Sequence, residues 1–123
     1  MHSSRCAAIR REHCATVRKA MVQINELYSV MSPQSFNQIT RWVATKEEHC
    51  GKLIDLLANC NLCQRTNADK LSEGAYAGAQ VAHHMAATAA MKAKQSVDVA
   101  ACDALELAVG VVCQIYCPGP AAL

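Results

Sequence analysis

The sequence predicts an all-α protein folded as an antiparallel up-and-down four-helix bundle, and three observations carry that prediction. Apolar residues make up 52% of the 123 residues but aromatics only 4%. Sheet interiors are rich in Val, Ile, Tyr, Phe and Trp, so an Ala-rich apolar set of this kind belongs to helices. Glycine and proline number only five and three, too few for a chain built of turns. The breaks that do occur cut the chain into four stretches of similar length. One domain over residues 1–123 is expected, large enough to bury a core.

The first stretch, about 3–31, places Val17, Met21, Ile24, Tyr28 and Met31 on one helical stripe. Ser32-Pro33 then reads as an N-cap followed by proline at the first helical position. It opens the second stretch, 34–64, whose stripe is Phe36, Ile39, Val43, Cys50, Leu53, Leu57 and Cys60. The capping cluster Thr66-Asn67-Ala68-Asp69 opens the third, 67–94, with Leu71, Ala75, Gly78, Ala82 and Met85 as its expected inner line. Its small residues allow a close helix approach or leave room for a ligand. Ser96-Val97-Asp98 opens the fourth, 97–117, apolar nearly all round, and Cys117-Pro118-Gly119-Pro120 ends it. Short connections between such helices lead to an antiparallel bundle.

Composition excludes several function classes. The net charge of +2 implies no polyanionic partner. Arg10, Arg11, Arg18 and Lys19 carry no interleaved aromatics and read as a solvated face, so no nucleic acid is expected. Asp98, Asp103 and Glu106 interrupt the most apolar stretch, so no membrane span is expected. The first 15 residues hold Arg5, Arg10, Arg11 and Glu12 and no apolar leader core. A cytoplasmic location follows, where thiols stay reduced. Phe36 and Trp42 are expected to pack, with Trp42 the alternative candidate for a contact between copies in a homo-oligomer.

The chemistry lies in eight cysteines. In an antiparallel hairpin, facing residues have numbers of constant sum, because both helices rise about 1.5 Å per residue. A turn near residue 32 sets that sum near 65, and both Cys6 with Cys60 and Cys14 with Cys50 satisfy it. Carried round the bundle, the rule gives two tiers near the end bearing the termini. Cys6, Cys60, Cys63 and Cys117 form the outer tier; His13, Cys14, His49, Cys50 and Cys113 form the inner one. His83 and His84 are expected about one turn further inward, with His84 near the core, and Cys102 deeper still and alone.

Soft thiolates select Cu(I) and zinc, and imidazole suits zinc and copper. Cys113-x3-Cys117 puts two thiols on one helix face, a spacing that suits metal capture rather than a disulfide. No second CxxC pairs with Cys60-x-x-Cys63, and no Glu-x-x-His or Cys-x-x-Cys-His motif occurs. Cys60-x-x-Cys63 also falls at a helix C-terminus, where the dipole disfavours thiolate, so dithiol catalysis is not expected. With Met85, Met91 and His84 as added soft donors, the chain resembles the cysteine-rich four-helix-bundle copper-binding proteins known as copper storage proteins. That resemblance implies a non-enzymatic protein holding metal ions, Cu(I) first and Zn(II) second. The metal ligands expected are Cys6, His13, Cys14, His49, Cys50, Cys60, Cys63, Cys113 and Cys117. The alternative is a bundle stapled by Cys6–Cys60 and Cys14–Cys50 disulfides, acting as an interaction or small-ligand carrier protein. The third reading is that these are ordinary buried thiols.

Overall fold

The computed structural model describes residues 2–116, apart from the side chains of residues 2–4, 64 and 65. Helix α1 spans His2–Tyr28, α2 Pro33–Asp55, α3 Glu73–Lys94 and α4 Val99–Tyr116. Each helix packs on the next, and α4 returns to α1. The result is the expected up-and-down bundle, with no strand among the described residues.

The helix boundaries follow local chemistry. Ser32 is extended and caps α2: its hydroxyl accepts from the Ser35 amide, and Ser35 returns the bond in a capping box, with Pro33 at the first position. Helix α3 starts later than its polar cluster implied, because Ser72 is the residue whose side chain accepts the Ala75 amide. Asp98 does the same for Ala100 at the start of α4.

Helix α2 continues as a ten-residue π-helical segment, Leu56–Arg65. Its wider turn is completed where the Thr66 amide donates to the Asn61 carbonyl at 2.9 Å. No sequence pattern announced it. It swings Asn61 fully inside and leaves Cys63 exposed.

The core joins Val17, Met21, Leu53, Leu57, Leu105, Val109 and Val112 to an alanine line on α3: Ala82, Ala86, Ala90 and Ala93. That line is offset from the one the sequence implied. Met85 is 60% exposed, and Phe36 62% exposed rather than packed. His83, not His84, is the buried member of its pair. A Cβ added at Gly74 or Gly78 meets nothing within 4 Å, so neither glycine serves a close helix approach. Helix α4 is long and apolar enough to cross a membrane. It buries five residues in the core and leaves Leu107 and Val111 exposed, and its Asp103 and Glu106 pair with Arg18 on α1 at 2.5 and 2.6 Å.

Candidate metal centre

The inner tier assembles, but it splits by residue type. Neighbouring residues on a helix point about 100° apart. So where Cys14 and Cys50 turn into the core, His13 and His49 are left at its edge. Cys14 shares its buried surroundings with Cys50, Cys102 and Cys113. Cys102 is therefore not isolated: its thiol donates to the Cys14 carbonyl at 3.7 Å. Cys113-x3-Cys117 is resolved only at its first member, since Cys117 lies outside the described residues.

Burial favours the neutral thiol at Cys14, Cys50 and Cys102. Burial pushes Cys14 up to about 12, and its sulfur and carboxylate neighbours add to the effect. Burial likewise pushes Cys102 up to about 11 against the pull of Arg18, and raises Cys50 against Lys46 and Lys94. In the outer tier, Cys6 is buried, Cys60 half-buried and Cys63 exposed. Cys14, Cys50 and Cys60 are free, so neither expected disulfide staple is present.

At the edge, the imidazoles of His13 and His49 meet, Nδ1 to Nδ1, at 2.8 Å. Burial lowers the His13 pKa, and His49 and Lys52 lower it further. The ring lines an open groove with Ile9, Lys52, Asp55, Asn59 and Cys60. Among the described residues, no three His, Cys, Asp or Glu side chains stand close enough together to hold one ion. The eight described members of the nine-residue ligand set thus resolve into buried thiols, an imidazole pair and scattered outer thiols.

Beside the thiols lies a polar network absent from the expected site. Arg10, placed by its charge on a solvated strip, is 0% exposed. It donates to Asn61 Oδ1 at 2.9 Å and to Cys113 Sγ at 3.5 Å. Tyr116 Oη meets His83 Nε2 at 2.8 Å and Thr66 Oγ1 at 2.6 Å, and donates to the Asn61 carbonyl. His83 Nδ1 lies 2.5 Å from the Ala79 carbonyl. Lys46 is also buried, its ammonium donating to the Ala93 and Lys94 carbonyls that end α3. The signal for Arg10 and Lys46 was spacing rather than type. Arg10 is four residues from both Cys6 and Cys14, and Lys46 four from Cys50.

This network carries a pH dependence. Burial holds the His83 pKa below its ordinary 6.5, with Arg10 adding and the Ala79 bond opposing. Below pH 6.5 the unfolded chain takes up a proton that folded His83 resists, so stability falls as pH falls. Urea midpoints at pH 7.0 and 5.5 will show this loss, and His83→Gln will reduce it. An unchanged difference in the variant removes His83 as a cause.

A model of the nickel-containing superoxide dismutase family matches residues 3–118, nearly the whole chain. The chain belongs to the nickel-containing superoxide dismutase family. No curated protein and no solved structure matches it. Membership overturns the resemblance to copper storage proteins. The family is one of enzymes, so non-enzymatic holding is corrected as well, and its metal is nickel rather than Cu(I) or Zn(II). What survives is the coarser reading of an all-α metal-binding protein.

The described side chains do not make a complete nickel centre. Protein metal centres are built from three or four protein ligands, and sulfur binds as thiolate. Here burial raises the Cys14 and Cys102 thiols, and among the described residues two imidazoles meet but no three donor side chains do.

Proposed function

We propose that this chain disproportionates superoxide in a nickel-dependent reaction, converting two superoxide anions and two protons to dioxygen and hydrogen peroxide. The family match over residues 3–118 carries this reading. The bundle of four antiparallel helices agrees with it in class. The desolvated interior is a poor place for a charged metal–thiolate centre. The donors to test first are therefore Cys60 and Cys63, the described cysteines that are not buried.

The test compares nickel-loaded, chelator-stripped and Cys63→Ser protein in a superoxide-consumption assay, alongside metal analysis. Loaded protein should consume superoxide far faster than the same concentration of free nickel. Stripping should abolish that rate, and nickel should restore it. Loaded protein no faster than free nickel overturns the reading.

A further inference from the structure

The His13–His49 pair stands apart from the thiols and is left unused by the superoxide reading. The two rings come from different helices, 36 residues apart, and their Nδ1 atoms point at one another across 2.8 Å. The ring planes are inclined at 57° with centroids 4.9 Å apart, so this is an edge meeting and not a stack. In the metal-free chain one Nδ1 must donate a proton to the other. When the donor ring carries its proton on Nε2 instead, both rings stay neutral and both Nδ1 lone pairs are free to bind an ion.

The separation discriminates between ions. Metal–imidazole bonds are about 2.0–2.1 Å. Two nitrogens 2.8 Å apart then subtend about 84–89° at the metal. That is the cis angle of a square-planar or octahedral ion, the geometry preferred by Ni(II). A tetrahedral ion needs its nitrogens about 3.3–3.4 Å apart at the same bond length, so the two rings must swing apart to take one. The groove beside the pair, about 420 Å³, leaves space for waters to fill the remaining positions. The one cation facing it, Lys52, is 3.7 Å from Glu48, and Asp55 lines the same groove.

We propose that His13 and His49 form an exchangeable surface site for a divalent ion of cis geometry, with Ni(II) as the probe, clamping α1 to α2. The site does not depend on the superoxide reading. A two-imidazole site is too sparse to be the family's complete centre, and its occupancy is read without measuring activity.

The experiment titrates Ni(II) into the metal-free full chain, followed by NMR of the histidine side chains and by calorimetry. The resonances of His13 and His49 should broaden together while buried His83 and exposed His84 stay sharp. His13→Gln and His49→Gln should each weaken one calorimetric binding event by at least about tenfold. Cys14→Ala should leave that event unchanged. Sharp His13 and His49 resonances under saturating Ni(II) overturn the proposal, as does a calorimetric profile that neither glutamine variant alters. Failure of the superoxide assay leaves these readouts intact.

Discussion

Asn61→Leu is expected to be among the most destabilising substitutions in this protein, costing about 3–5 kcal/mol. Arg10 is fully buried, and no carboxylate among the described residues pairs with it. Its main acceptor is Asn61 Oδ1 at 2.9 Å, with the softer Cys113 sulfur at 3.5 Å as the second. Arg10 Nε and Asn61 Nδ2 already lack partners. Leucine keeps roughly the shape of asparagine but takes away the oxygen, leaving a guanidinium in the core with one weak acceptor. For a domain this small, the loss corresponds to a fall of roughly 10–25 °C in Tm.

The matched experiment removes the charge instead. Arg10→Met keeps the length of the side chain and orphans only Asn61 Oδ1, costing about 1–3 kcal/mol. The double variant Arg10→Met with Asn61→Leu has nothing polar left to satisfy and should return to within about 1 kcal/mol of the parent. Urea denaturation of the four proteins gives the coupling directly. If the two single losses simply add in the double variant, Arg10 and Asn61 do not act as a unit.

That pair also shows where the sequence was legible and where it was not. The bundle could be read because its evidence is redundant: Ser32-Pro33 marks a helix start, and Val17, Met21 and Ile24 repeat at helical spacing and are all buried. The meeting of His13 with His49 followed from the same geometry, since two straight rods about a common turn fix which residues are level. The site failed at two physical steps. Level is not the same as inward: a register rule cannot say which of His13 or Cys14 enters the core, and that choice separated imidazole from sulfur. Straightness failed too. The π-helical stretch Leu56–Arg65 shifts every later residue round the axis, which carries Asn61 inside and Cys63 out. Arg10 was misjudged by assigning it from charge, although its spacing from Cys6 and Cys14 put it on the buried line. The metal was not legible, because thiols facing a bundle core suit several ions.

The second large effect is alkaline. Cys14, Cys50 and Cys102 all have raised pKa values from burial, to about 12 for Cys14 and about 11 for Cys102, against an ordinary 9.0. Above pH 9 the unfolded chain loses these protons while the folded chain keeps them. The unfolded state then binds fewer protons, and stability falls as pH rises. Each thiol contributes a slope approaching about 1.4 kcal/mol per pH unit. Lys46 works in the opposite direction, since burial lowers its pKa below the ordinary 10.5 and the folded state sheds its proton first. One lysine against three thiols leaves a net loss. Urea midpoints from pH 8.5 to 11 should fall steeply in the parent. They should fall less steeply in Cys14→Ala and Cys102→Ala, whatever those variants lose at neutral pH. Alkylation at pH 8 should mark exposed Cys63 at once and reach Cys14 and Cys102 only as fast as the bundle unfolds. Equal rates at all three would mean that the interior sulfurs are accessible and ionised. The case against a metal centre among them would then fail with it, because desolvation is what both conclusions share.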